Sequence, residues 1–129
     1  MKLSREQHDG LVAHAQEESP KECCGYLTLR DGVVLDVFPA ENAYPSPRYG
    51  FEFGFRDLQA ANDLHDEGFE IGIYHSHPRS EAVPSQQDRN VMRNYENWVQ
   101  LIVSPEGEPA VRAWWISDRG VDEEPVELA

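Results

Sequence analysis

Apolar and polar positions recur along the chain with two periods, one typical of helices and one typical of strands. Residues 5–18 and 56–67 each have an apolar stripe at helical spacing. Ser4 and the glutamine three residues later form a capping-box pattern, and Ser19-Pro20 ends the first stretch. Gly68 follows the second stretch, where a helix C-terminus favours glycine. We therefore predict two helices over these ranges.

Strand patterns occupy much of the remaining sequence. Apolar runs at 26–29 and 33–38 flank Asp31-Gly32, a pair that strongly predicts a hairpin turn. Alternation then places one set of side chains on the inward face of a strand, namely Ile71, Ile73, His75 and His77. Residues 99–103 and 111–115 predict two further core strands.

The other segments complete an α+β prediction, a mixed sheet flanked by helices. Residues 42–55 are rich in proline, glycine and aromatics and suggest an ordered loop leading into a short strand. Pro84-Ser85 opens a helix of about ten residues that continues through Tyr95. We expect one domain over residues 1–129, with an acidic tail at 121–129 that is loosely held.

Charge changes the expected partners. The chain has 24 acidic and 11 basic residues, so its net charge is −13. It should repel phosphate backbones, and we do not expect nucleic acid as a partner. A solubilising surface, adaptation to a high-salt cytoplasm and attraction for a basic partner segment all remain open.

The hydrophobic runs and the two cysteines of the chain bear on its cellular location and its redox chemistry. No run of 18 apolar residues predicts a membrane span, and residues 1–7 lack the apolar core of a signal peptide, so we expect a cytoplasmic protein. Cys23 and Cys24 are adjacent, which opposes a disulfide between them. We interpret them as small residues entering a core strand.

Candidate chemistry lies where the strand of isoleucines ends. His75 and His77 point the same way, and Asp88 follows eleven residues after the second histidine. Two nitrogens and one oxygen form a ligand set that a catalytic zinc uses when one position stays open for water. The plain alternative for the histidines is a hydrogen-bonded or partly exposed pair. Iron, cobalt or nickel could occupy the same ligands.

Ser85 and Asp88 also fit a second interpretation. Their spacing matches a capping box with Ser85 as N-cap. The two interpretations are compatible, because a carboxylate held in a first helical turn is rigid, as a metal ligand should be. Metal-assisted hydrolysis also needs a proton carrier, and Glu22 is a candidate just before an apolar strand. Spacing alone does not distinguish it from a solvated glutamate.

Together these residues resemble the JAMM (MPN+) metallopeptidase motif. That motif has a glutamate, then far downstream H-[ST]-H-P, six residues, serine, two residues and aspartate. Glu22, His75-Ser76-His77-Pro78 and Ser85 to Asp88 match every position. The segment 20–25 and the loop beginning at Asn42 are also similar to the family, and the resemblance spans roughly residues 3–116.

The resemblance implies a fold and a chemistry. The fold would be the JAMM/MPN fold, similar to that of zinc deaminases. One zinc ion would be bound by His75, His77 and Asp88. Glu22 would act as general acid and base, and Ser85 would hydrogen-bond the substrate carbonyl or the oxyanion. The deaminase signature H-x-E…P-C-x-x-C is not found in the sequence, which argues against base deamination.

The resemblance also implies a substrate class. Such enzymes cut amide bonds next to the C-terminal tail of ubiquitin-like proteins, and the short chain resembles a compact bacterial branch that includes peptidases releasing cysteine from a sulfur-carrier protein. We expect the tail to lie between residues 43–53 and the loop Pro78–Pro84. A non-catalytic MPN-type scaffold and a zinc amidase acting on a small molecule remain alternatives.

Overall fold

The computed structural model describes all 129 residues. Eight strands are present: β1 (Lys2–Leu3), β2 (Cys24–Arg30), β3 (Val33–Ala40), β4 (Glu70–Ser76), β5 (Val99–Val103), β6 (Val111–Ser117), β7 (Gly120–Glu124) and β8 (Glu127–Leu128). The helices are α1 (Arg5–Glu18), α2 (Phe55–Asp66) and α3 (Gln86–Met92), and a 3-10 turn (Arg93–Tyr95) continues α3.

All eight strands form one mixed sheet in the order β7-β6-β5-β4-β2-β3-β1-β8. The central strand β4 pairs antiparallel with β2 and parallel with β5. Apolar cores cover both faces: one includes Leu11 of α1 and Tyr74, the other Ile73 and Met92 of α3. This is the predicted α+β fold. Because β4 is central and covered on both sides, side chains at its end are held among packed neighbours.

Two local predictions are confirmed. Asp31 and Gly32 have φ angles of 53° and 76°, the positive pair that a type I′ hairpin requires, and they join β2 to β3. Ser4 forms the predicted capping box at the start of α1. The helix predicted over 56–67 is found one residue earlier as α2, within the usual uncertainty of helix ends.

The helix after Pro84 differs from its prediction. Instead of running through Tyr95, α3 ends at Met92 and continues as the 3-10 turn. The Trp98 N–H then donates to the Tyr95 carbonyl, and β5 begins at Val99. The chain has to reverse direction within a few residues, and 3-10 turns are the usual way to tighten a helix end.

The acidic tail was expected to be loosely held, but the structure places it in two edge strands. β7 pairs antiparallel with β6, and β8 pairs parallel with β1. Arg112 donates two hydrogen bonds of 2.8 Å to the carboxylate of Glu123 across the β6–β7 pair. The acidity of a segment does not by itself show that it is loosely held, since edge strands make backbone hydrogen bonds while their charged side chains stay in water.

None of the three helices has the length and apolar character needed to cross a membrane.

Candidate active site

Strand β4 delivers two histidines to one end of the sheet. His75 is fully buried, and its ring stacks on Phe51 with centroids 4.5 Å apart. His77 follows the last strand residue, and its backbone N–H donates to Val103 at the end of β5. The two imidazole Nε2 atoms lie 3.3 Å apart. The alternation predicted for this strand therefore places both rings on one side.

Asp88 approaches the histidines from the first turn of α3. Ser85 is the N-cap of this helix: its Oγ accepts from the Asp88 N–H at 3.1 Å, and its own N–H donates to Asp88 Oδ2 at 3.0 Å. The same Oδ2 lies 2.8 Å from His77 Nε2, and Oδ1 lies 3.2 Å from His75 Nε2. The capping box thus exists, and it aims the carboxylate at the histidines.

The three side chains have the spacing of a metal-binding set. A tetrahedral ion with bonds of about 2.0–2.1 Å has ligand atoms roughly 3.3 Å apart. The two separations from His75 Nε2, 3.3 Å to His77 and 3.2 Å to Asp88, are close to that value, and the third, 2.8 Å from His77 Nε2 to Asp88 Oδ2, is shorter. His75, His77 and Asp88 are all buried, and they form a group that could hold a metal ion. The donor chemistry and the spacing therefore fit such an ion.

The hydrogen bond on the far side of His77 supports this arrangement. Its Nδ1 lies 2.8 Å from the carbonyl oxygen of Glu81. A carbonyl only accepts, so Nδ1 carries a proton, and Nε2 is the nitrogen that faces Asp88. The corresponding nitrogen of His75, Nδ1, is buried and makes no hydrogen bond.

Charge in this cluster is set by burial and by the mutual contacts. Burial lowers the pKa of His75, which favours its neutral ring. Burial also opposes ionisation of Asp88, but the neighbouring His75 and His77 and the Ser85 N–H outweigh it and hold the carboxyl pKa well below its usual range. Asp88 is therefore an anion facing imidazole nitrogens, as a cation site requires.

Glu22 lies beside this group, immediately before β2. Its side chain is half-buried, and Oε1 is buried without a hydrogen-bond partner. Burial, followed by the negative charge of Asp88, raises the pKa of Glu22 to about 7. A carboxyl group with that pKa can both accept and release a proton near neutral pH.

Asn42 fixes the backbone around Glu22, a role that the sequence did not reveal. Its Nδ2 donates to the carbonyls of Glu22 and Gly50 at 2.9 and 3.0 Å. Its Oδ1 accepts from the N–H groups of Tyr44 and Glu52 at 3.0 and 3.1 Å. These four contacts use both N–H donors and both oxygen lone pairs of the amide, so Asn42 connects Glu22 to the loop 43–53. In the sequence, Asn42 is recognisable only as the start of a family-like loop.

Ser76 is a second supporting residue, which the sequence identified only as part of the motif His75-Ser76-His77-Pro78. Its buried Oγ accepts from the Cys23 N–H at 2.8 Å, and its own N–H donates to the Cys23 carbonyl at 3.1 Å. Ser76 therefore ties the end of β4 to the residue after Glu22. Cys23 and Cys24 are free and buried, as expected, and burial raises their thiol pKa values to about 11 and about 12.

An open cleft of about 310 Å³ gives access to the group. We call it the active-site cleft; it is lined by Pro20, Glu22, Arg48, Tyr49, His77, Pro78, Arg79, Ser80, Ser85, Gln87 and Asp88. All the residues predicted to be functional except the deeply buried His75 thus border one space. Its walls come from the loops 43–53 and 78–84, between which the tail-binding groove was predicted.

A mixed sheet whose central strand presents two histidines to a buried aspartate, beside a glutamate in an open cleft, is an arrangement typical of metal-dependent hydrolases. Comparison with known sequences supports this class. The model of the prokaryotic homologues of the JAB domain matches residues 4–117. The chain belongs to this family, and the predicted JAMM/MPN membership and fold are confirmed.

Individual relatives support the same family assignment. The chain is 31% identical over 124 residues to the desampylase of Haloferax volcanii, covering 88% of this chain and 87% of the relative. It is 29% identical over 124 residues to the CysO-cysteine peptidase of Mycobacterium tuberculosis, covering 93% of this chain and 85% of the relative. A protein of Desulfitobacterium hafniense solved in solution superposes with a TM-score of 0.78 at 31% identity, covering 99% of this chain and 92% of that one. The chain is a hydrolase of the peptidase class.

Proposed function

We propose that this protein is a zinc-dependent peptidase that hydrolyses the amide bond following the C-terminal tail of a ubiquitin-like or sulfur-carrier protein. The observation that carries the proposal is the convergence of His75, His77 and Asp88 beside the half-buried side chain of Glu22 in an open cleft. Each of these residue types has a separate task in hydrolysis, and the fold brings them together from three segments.

His75, His77 and Asp88 would hold the zinc ion. Two neutral imidazoles and one carboxylate suit zinc and leave a position open. Zinc held there supplies Lewis-acid chemistry, since it lowers the pKa of water to about 7 and polarises a carbonyl. The Glu81 carbonyl keeps the proton of His77 on Nδ1, and the capping box keeps Asp88 in place.

Glu22 would carry the proton. In the hydrolysis of an amide, the oxygen of water bonds to the carbonyl carbon and the carbon–nitrogen bond breaks. The Glu22 carboxylate takes a proton from the attacking water and passes it to the leaving amine. Its pKa of about 7 suits both transfers, since neither the acid nor the base form is rare near neutral pH.

Ser85 would bind the substrate carbonyl. Its Oγ already accepts a hydrogen bond from the Asp88 N–H, while its hydroxyl proton has no partner within the protein. A hydroxyl has one donor in addition to its acceptor positions, so the proton is free to point into the cleft. Donation to the carbonyl oxygen would stabilise the negative charge that develops there.

The substrate class is supported by the relatives. Their names describe a desampylase and a CysO-cysteine peptidase, and a third relative, from Thermus thermophilus, is a probable TtuB-protein conjugate cleaving protease. The cleft is open and bordered by the exposed Tyr49, which suits an extended chain end rather than an enclosed small molecule.

Metal content and hydrolysis together test the proposal. We expect one zinc per chain by elemental mass spectrometry, together with release of the C-terminal residue from a carrier-protein conjugate. His77→Ala should lose both, whereas the exposed His65→Ala should keep both. Zinc without cleavage of any carrier conjugate, but with turnover of small amides, would favour the zinc amidase. If the protein binds no zinc and hydrolyses neither type of substrate, the non-catalytic scaffold would be favoured.

A further inference from the structure

Two arginines stand at the mouth of the active-site cleft. Arg48 lies in the loop that carries Tyr49, and Arg79 lies in the loop after His77, so the cleft has a cationic side chain on each wall. Both are exposed. The only other charged residues lining the cleft are Glu22 and Asp88.

Neither arginine is committed to a partner within the protein. The arginine–carboxylate pairs of this chain are Arg93 with Asp118 and Arg112 with Glu123. Unpaired arginines are common on protein surfaces, and this feature alone has little weight. Here, however, acidic residues outnumber basic ones by 24 to 11, and two of the 11 line the same cleft as His77, Asp88 and Glu22.

The charge balance of the cleft favours an anion. With a divalent cation at the histidines and Asp88, the two carboxylates of the floor are balanced, and Arg48 and Arg79 leave the cleft positive. The net charge of −13 disfavours binding of an anion to this chain in general, whereas the cleft presents two cationic side chains. Guanidinium groups bind carboxylates through paired hydrogen bonds, which gives them geometric as well as electrostatic preference.

We infer that Arg48 and Arg79 form a subsite for the α-carboxylate of the leaving residue, so that the preferred substrate is a carrier tail extended by a single amino acid with a free C-terminus. This inference rests on the proposed function. When the leaving amine is an α-amine, the carboxylate is one carbon away from it and enters the same cleft of about 310 Å³. When the leaving amine is a lysine side chain of a target protein, no carboxylate accompanies it.

Binding to matched substrates tests the subsite. The substrates are the CysO–cysteine conjugate and the same conjugate with its terminal carboxylate converted to a carboxamide. Zinc-loaded Glu22→Gln protein serves as a slow form, and calorimetry gives the two Kd values. We expect the carboxylate to bind about tenfold more tightly, in line with a charge-assisted contact. Arg79→Ala or Arg48→Ala, in the same background, should remove most of that difference.

Arg56→Ala is the matched control, since Arg56 is an exposed arginine outside the cleft, and it should leave the ratio unchanged. Equal Kd values for the two conjugates would overturn the subsite and leave the proposed function standing. A carboxylate preference that survives both cleft variants would also overturn the assignment. Absence of binding by either conjugate would overturn the inference together with the carrier-tail part of the proposed function.

Discussion

Asp88 serves two structures at once. Its backbone N–H and its carboxylate complete the capping box of α3 with Ser85, and the same carboxylate contacts both histidines. Helix start and candidate metal site are therefore coupled through one side chain. A capping motif in a sequence is usually explained by the helix alone, but here it also fixes the direction of a proposed ligand.

Glu22→Gln should separate binding from turnover. Glutamine has the size of glutamate but cannot take up or release the proton, so zinc content should stay at the wild-type value. Turnover should fall by about 100- to 10,000-fold, the usual contribution of general acid–base catalysis. Steady-state kinetics and metal analysis on the same preparation measure both. A fully active variant would remove Glu22 from the mechanism.

Ser85→Ala should affect both activity and stability. Loss of the hydroxyl removes the proposed donor to the substrate carbonyl, so kcat should fall by at least about tenfold. It also removes the acceptor for the Asp88 N–H, which should lower the free energy of unfolding by about 1 kcal/mol. Kinetics and urea denaturation report the two effects. If neither changes, both interpretations of Ser85 are wrong.

At the scale of elements, the candidate site is assembled from the end of β4, the start of α3 and the segment before β2. The sequence predicted β4 and its inward face because alternation is a local pattern, and it predicted the helix start because capping is local too. It did not predict the contacts of Asn42 and Ser76, because these depend on which segments the sheet brings side by side. Glu22 was identified through family resemblance, not through any local pattern.

Asn42→Ala should loosen the loop 43–53 together with Glu22. The substitution leaves two backbone N–H groups and two carbonyls without their partner, and we expect a loss of about 2–3 kcal/mol in the free energy of unfolding. Turnover should also fall while zinc stays bound, since no proposed ligand contacts Asn42. Chemical denaturation, metal analysis and kinetics test this. Asn62→Ala is the control, because that exposed amide bonds only within α2.

At the scale of the whole molecule, the chain's two ends lie together beside β3. The terminal amine of Met1 donates to the Pro125 carbonyl, and β8 pairs with β1. The sequence did not reveal this closure, since two-residue strands have too few positions to show a pattern and acidic residues usually indicate solvent exposure. The site lies at the end of β4, and neither β1 nor β8 contributes a residue to the active-site cleft.

Zinc should stabilise the whole fold, because the proposed ligands join β4 to α3 and exist as a set only in the native state. At free zinc about 1,000 times its Kd, binding adds roughly 4 kcal/mol to the free energy of unfolding. For a chain of 129 residues this raises Tm on the order of 10 °C. Calorimetry with zinc and with a chelator should show that difference in the wild type and in His65→Ala, whereas His77→Ala should melt at one temperature in both conditions. If the wild type binds zinc fully by metal analysis but has the same Tm with zinc and with a chelator, the metal is bound outside this native cluster.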